Sequence, residues 1–384
     1  VLFYQWLKHG FILMTLLQHS PNLSAPWDPS APRHAALSRT GHTAVAVVLG
    51  FIFVLGFLGN FVALLVFSRY PVLRTPVNLL LINISASDML VCIFGTPMSF
   101  AASVRGRWLT GSYGCRWYGF SNALFGIVSL ISLSLLSFER YSAVVHSVPS
   151  DSSQFGRARF AVAASWLYSL AWTLPPLLGW SSYGPEGPGT TCSVQWDRQS
   201  PTARSYVSCL FTFCLLLPLL LMLFCYGRII MAVRTVTKQV LCTERREGRV
   251  LLMVVSMVTS YLVCWLPYGV VAMLFSFGRP GAVPPVASLV PSLLAKTSTV
   301  LNPVIYVLLN KQFSRCFRHM FSWTSEAVPT PVHQSFPSSR GVWIYPPEMP
   351  SVDQDSSPDT FFPQPQKQGP QHTQTLVAYY NGET

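Results

Sequence analysis

Apolar residues along this chain gather in seven long blocks, parted by short polar and basic stretches. The blocks run about Ala44–Phe67, Val77–Ala102, Ser112–Val145, Phe160–Trp180, Tyr206–Ile230, Val250–Phe277 and Pro284–Leu309. A helix of about 20 apolar residues crosses the hydrocarbon of a bilayer, and every block reaches that length. Charge, proline or glycine marks each boundary. The pattern predicts an all-α membrane protein, a seven-transmembrane helix bundle over residues 44–309. After the seventh span, Lys311–Phe321 sets basic and bulky apolar positions at helical spacing. It reads as a short amphipathic membrane-surface helix within 310–321.

The two ends differ from this pattern. Residues 322–384 are rich in Pro, Ser, Gln and Thr, a composition of disordered tails. Residues 1–43 precede the first span, and their apolar run Phe11–Leu17 is too short to be a span. It reads as a signal-like remnant or as no part of the fold.

Composition supports the membrane reading: only 10% of residues are charged, and mean hydropathy is +0.40. Soluble domains carry nearer 25% charge. The net charge of +12 would suit a nucleic-acid binder, but the cations are not spread evenly. Arg69, Arg74, Arg157, Arg159, the cluster Arg234–Arg249, and Lys311, Arg315 and Arg318 fall in alternate connections. By the positive-inside rule those connections are cytoplasmic, the N-terminus is outside and the C-terminus inside. Asn22, in the sequon Asn22-Leu23-Ser24, is then a glycosylation acceptor on the correct side. No metal-spaced Cys/His cluster, P-loop or dinucleotide fingerprint occurs, so metal, nucleotide and nucleic-acid roles are not expected.

Polar residues inside the spans carry the chemistry. Lys296 lies in the middle of the seventh block. A cation there costs at least about 2.5–3.5 kcal/mol on insertion scales. It implies either a buried ion pair or an amine made nucleophilic for a Schiff base. Asp88 is alone in the second block and needs a polar partner; Asn60 and Asn302 are the candidates. A structural network and an ion-binding site are both open readings of it. Of nine cysteines, Cys115 and Cys192 alone fall together on the oxidising side, where a disulfide is expected and two free thiols are the alternative. Cys316 on the amphipathic segment is a palmitoylation candidate, or a free thiol. Glu139-Arg140-Tyr141 ends the third block, and Glu247 opens the sixth on the same side. An Arg140–Glu247 pair would latch the two helices and open as a switch. Cys264-Trp265-Leu266-Pro267 and Asn302-Pro303-Val304-Ile305-Tyr306 place an aromatic near a proline kink.

Taken in order, Gly59-Asn60, Asp88, Cys115, Glu139-Arg140-Tyr141, Trp166, Pro218, Cys264–Pro267 and Asn302–Tyr306 resemble the rhodopsin class of G-protein-coupled receptors across about residues 44–321. Lys296, six residues before Asn302, stands where opsins carry their retinal lysine. Phe125–Ser129 and Trp166–Trp172 are similar to the encephalopsin and teleost multiple-tissue opsin group. The resemblance implies 11-cis retinal held covalently on Lys296 as a protonated Schiff base, with photoisomerisation activating a heterotrimeric G protein. It also implies arrestin and receptor kinase as partners at the tail, and no enzyme activity. Asn310-Lys311-Gln312 resembles the tripeptide of opsins that use the Gi/Go class.

A buried cation needs a counterion. Many visual opsins keep a carboxylate three residues after the disulfide cysteine, where this chain has Tyr118, neutral at ordinary pH. Glu186, six residues before Cys192, matches the alternative loop position and is the expected counterion. Opsins of that kind tend to be bistable. Trp265, Tyr268, Tyr118, Tyr261 and Ser292 are the expected retinal-pocket residues. Two other functions share part of this pattern: a retinal photoisomerase, disfavoured by the intact switch motifs, and a light-independent receptor.

Overall fold

The structure is a computed structural model, and it describes residues 37–145, 153–236, 244–279 and 284–321. The helix α1 (Arg39–Arg69) is the first span, and α2 (Pro76–Phe94) with α3 (Thr96–Arg105) forms the second. The third and fourth spans are α4 (Gly111–Val145) and α5 (Ser153–Thr173). The fifth is α6 (Pro201–Phe211), a π-helical turn Thr212–Leu216 and α7 (Leu217–Val236). The sixth and seventh are α8 (Glu244–Phe277) and α9 (Leu289–Leu309), followed by α10 (Lys311–Phe321). Among the described residues, six spans are long and apolar enough to cross a membrane by length and composition; α5, at 21 residues, is long enough but less apolar. Asn22, residues 322–384 and the Glu247 side chain lie outside the described residues.

Local chemistry explains where the spans depart from the hydropathy blocks. The fourth block extends to Trp180, but the helix stops at Thr173 because Pro175 and Pro176 open a short 3-10 turn, Pro175–Leu177. The seventh block begins at Pro284, yet α9 starts at Leu289 after a 3-10 turn, Pro285–Ser288. The second span breaks at Gly95, between Phe94 and a new first turn carrying Pro97. In the fifth span, Leu217 N–H bonds back five residues to Thr212 O. The next carbonyl, Phe213 O, would then look to Pro218, which has no N–H. The hydroxyl of Tyr168 on α5 donates to it instead, at 2.8 Å.

Caps fix other ends. Ser38, Thr75 and Ser200 each accept a backbone N–H of the first turn through the side chain, and Pro76 and Pro201 occupy the first helical position. Asn310 Oδ1 accepts Phe313 N–H at 3.1 Å, starting α10 where α9 ends. Phe313 and Cys316 face inward on α10, into a cluster with Phe67 and Tyr306. Tyr70 Oη meets His319 Nδ1 at 3.0 Å, tying α10 to the end of α1.

The connection after α5 forms an antiparallel hairpin, β1 (Tyr183–Glu186) with β2 (Thr191–Val194), in which Glu186 faces Thr191. Gly187 and Gly189 take left-handed backbone angles in its turn, which glycine adopts without strain. A disulfide joins Cys192 on β2 to Cys115 in the first turns of α4. The hairpin therefore lies across the end of the bundle at which α4 begins. Tyr183 and Val194 pack there in one cluster with Phe120, Leu124 and Val128 of α4.

Candidate functional site

The hairpin roofs a cavity of about 190 Å³ between α4, the fifth span, α8 and α9. Lys296, Glu186, Tyr118, Tyr261, Trp265, Tyr268 and Ser292 all line it, so every pocket residue expected from the sequence comes together in one place. On α9, Ser292, Lys296 and Thr299 form one helical face toward this space. The rest of the wall is chiefly apolar, with Val207, Leu210, Phe211, Ala272 and Met273 opposite. Such a lining with a few polar groups suits an apolar ligand oriented by those groups.

Lys296 is half-buried, and its Nζ lies 5.5 Å from the centroid of the Tyr118 ring, a cation–π distance. The Tyr118 hydroxyl is held between Ser99 and Thr191, the latter at 3.1 Å. Glu186 lies on the roof. Its Oε2 accepts from Tyr268 Oη at 3.1 Å, while Oε1 is buried without a hydrogen-bond partner. Burial pushes the Glu186 carboxyl up to about 7, and polar contacts with Ser193 and Tyr268 and the charge of Lys296 act against that rise. No direct ion pair joins Lys296 and Glu186; among the described residues the salt bridge within 4 Å is Arg140–Glu139. The Glu186 acid and the Lys296 cation thus face one largely apolar space, which Asp88 also borders, and Glu186 has an acceptor to spare.

Trp265 forms the floor. Its ring stacks on Tyr261 at 5.5 Å, and its Nε1–H donates to Ser298 on α9 at 3.1 Å. Tyr261 Oη reaches Gly126 O at 2.9 Å, and a Cβ on Gly126 would stand 2.9 Å from the indole. Glycine is needed there because the α4 backbone itself is the wall against which the indole rests. Pro267 lies two residues after Trp265 within α8. The ring therefore sits beside the part of the helix that lacks a backbone donor.

Below the floor, Asp88 is 3% exposed and fully engaged: Ser129 donates to Oδ1 at 2.9 Å and Asn302 to Oδ2 at 2.7 Å. Asn60 does not join it. Its Nδ2 donates to Gly56 O and Thr299 O, both at 2.8 Å, linking α1 to α9 instead. Tyr306, after Pro303, is fully buried against Phe67 and Phe313. Toward the C-terminal end of α4, Arg140 is clasped by its neighbour Glu139 through two bonds of 2.5 and 2.6 Å. Its expected partner Glu247 has a side chain outside the described residues. Cys316 is 1% exposed and its thiol pKa is raised by burial; acylation would require it to turn outward.

Three contributors carry no motif that would have revealed them. Trp196, after the hairpin, donates its Nε1–H to Tyr268 Oη at 3.1 Å. Thr191 reaches Tyr118, and Asn122 lines the cavity one turn below Tyr118 while donating to its carbonyl at 2.8 Å. Among the described residues no group of three or more His, Cys, Asp or Glu is placed to hold a metal.

Known proteins resemble the chain over most of this architecture. The family described as 7 transmembrane receptor (rhodopsin family) matches residues 59–306. Pinopsin of Columba livia is 38% identical over 313 residues, 79% of this chain and 88% of the relative. Opsin-3 of Mus musculus is 40% identical over 305 residues, 76% of each chain. The crystal structure of squid rhodopsin superposes with a TM-score of 0.71 at 27% identity, covering 79% of this chain and 91% of that one.

Proposed function

The chain belongs to the opsins, within the rhodopsin family of seven-transmembrane receptors, and from that premise we propose that Lys296 is the attachment point of retinal in a non-visual light sensor that acts through the Gi/Go class. It is a multi-pass membrane protein and a light-sensing receptor with a G protein as partner; attachment, counterion, bistability, G-protein class and orientation are the proposal. Retinal brings an aldehyde, which condenses with an amine to a protonated Schiff base with loss of water, and a polyene that isomerises from the 11-cis form on absorbing a photon.

The observation that carries the reading is the pairing of a lone amine with an acid that keeps an acceptor free in one largely apolar cavity: of the two carboxyls that line it, Asp88 is engaged by Ser129 and Asn302, and Glu186 leaves Oε1 open. Lys296 supplies the nucleophile, and the chiefly apolar lining disfavours a free charge, which makes a counter-charge necessary. Glu186 supplies it from the hairpin, through an Oε1 that no protein donor occupies. Tyr118 adds the face of its ring, which stabilises positive charge without carrying a negative one. With no carboxylate at position 118 to take the proton directly, the charge at position 296 survives illumination. That supports a bistable pigment. Trp265 and Tyr261 report changes in the cavity to α8, and Asn302, Pro303 and Tyr306 report them through α9 to the cytoplasmic end. The Glu139–Arg140 clasp is the element such a change would release.

Asn310, capping α10, begins the tripeptide that favours Gi/Go over Gq. Arrestin and a receptor kinase are the partners proposed for the tail, with the N-terminus outside and the C-terminus inside. The intact switch motifs disfavour a photoisomerase. Reconstitution with 11-cis retinal tests the reading: a visible band is expected, absent in Lys296→Ala, with light-dependent nucleotide exchange on Gi/Go. No band, or one that survives Lys296→Ala, overturns it.

A further inference from the structure

A second, smaller void lies behind Lys296, between α1, α3, the hairpin and α9. Its polar lining is Ser99, Ser103, Thr190, Thr191, Ser292 and Lys296, and the apolar remainder comes from Val45, Leu49, Leu289 and Leu293. Thr191, Ser292 and Lys296 are shared with the main cavity, so the lysine side chain forms part of the partition between the two. Glu186 borders only the main cavity.

The hydroxyls of this chamber are unequally engaged. Ser99 and Thr191 are spent on Tyr118, and Ser292 donates to Leu289 O at 2.9 Å. Ser103 is different: it is 1% exposed, and its Oγ is buried with no partner. Burying a hydroxyl unpaired is costly, and such groups are met by an ordered water or ion where there is room. The chamber holds about 10 Å³ for such a species, the space of a single water-sized particle. Its charged group is a cation and no carboxylate side chain lines it, so it offers donors and excludes a metal ion.

We infer that this chamber is a binding site for one small hydrogen-bond acceptor, a water molecule or a halide ion, held between the Ser103 hydroxyl and the Lys296 nitrogen. The nitrogen then has two polar supports, Glu186 in the main cavity and the bound acceptor in the smaller chamber. The existence of the site rests on Ser103 and the void alone; its effect on colour rests on the retinal reading above.

The decisive measurement is a crystal structure of the full chain grown in sodium bromide, without retinal. A density peak within hydrogen-bond distance of Ser103 Oγ is expected: with anomalous bromine signal it is a halide, without it a water. An empty chamber overturns the inference, whether or not the protein binds retinal. With retinal, a halide site predicts a band at shorter wavelength in chloride than in gluconate. That dependence should vanish in Ser103→Val, which fills the chamber, and weaken in Ser103→Ala, which only removes the hydroxyl. A water site predicts no chloride dependence, but an infrared O–H stretch sensitive to oxygen-18 water that both variants lose. If Ser103→Val keeps the chloride dependence or the stretch, the assignment to this chamber is wrong. A parent protein with no visible band would count against retinal attachment and leave the crystallographic result to stand alone.

Discussion

Trp196 settles where the proton of Tyr268 points. The indole Nε1–H can only donate, and it donates to Tyr268 Oη at 3.1 Å. The tyrosine's own hydrogen is then free to go to Glu186 Oε2, also at 3.1 Å. Oε2 already accepts this bond, which favours Oε1, the oxygen without a protein partner, as the site of any proton that Glu186 binds. Tyr268→Phe removes a donor from the carboxylate and should raise the Glu186 pKa. A hydrogen bond to a charged group is worth about 1.5–3 kcal/mol, so the rise is about one pH unit or more. Trp196→Phe leaves the hydroxyl in place but frees its direction, and the rise should be smaller. Infrared titration of the carboxyl stretch measures both; a larger effect in Trp196→Phe would contradict this order.

The same carboxyl predicts a pH dependence of stability in the retinal-free receptor. Its folded pKa is raised to about 7 from an ordinary 4.5. Between those values the folded protein binds more proton than the unfolded chain, so stability falls as pH rises through that window. The contribution is full below about pH 4.5 and lost above about pH 7, about 1–2 kcal/mol after allowance for partial exposure. The thermal midpoint should fall between pH 5 and pH 8, and Glu186→Gln should flatten that slope. In the retinal-bound form Glu186→Gln removes the counter-charge, so the visible band's pKa should fall.

Cys115→Ser should cost about 2–5 kcal/mol, since the bond closes a separation of 77 residues. The loss falls on the hairpin first, because β2 carries Cys192 and pairs with the strand that carries Glu186. Reduced yield of folded receptor, and faster bleaching by hydroxylamine in what remains, are the expected results.

Gly126→Leu should prevent the indole of Trp265 from occupying its present place, because even a Cβ would stand 2.9 Å from it. The Tyr261–Gly126 bond and the Trp265–Ser298 bond are strained together. Retinal uptake should fall sharply while Gly126→Ala keeps partial uptake with a displaced band; equal uptake in all three proteins would refute the contact.

The spans were legible because a bilayer demands long apolar runs and little else in this sequence supplies them. The breaks were less so. The stop of α5 at Thr173 follows from Pro175-Pro176, a local signal that hydropathy averages away. The π turn depends on a carbonyl that Pro218 cannot serve and Tyr168, 45 residues earlier than Phe213, can. At the site, Lys296 announced itself by its cost, and Glu186 by its position relative to Cys192. Trp196 and Ser103 did not, because their roles depend on hairpin register and helix crossing, which single residues do not encode. Asp88 was expected to find Asn60 or Asn302, and the packing chose Asn302.

The helix α5 is held in the bundle differently from the other spans. It is the span least able to partition into lipid unaided, and Ser165, Ser169 and Thr173 are all fully buried on it. Each of the three turns its hydroxyl onto a carbonyl of α5 itself. Its Trp166 indole donates to Asn83 of α2 at 2.9 Å, and the Asn83 amide reaches Ser165 and, on α4, Ser132. The hold of α5 in the bundle therefore comes from α2 and α4 more than from lipid, through a polar knot that none of the three helices closes alone.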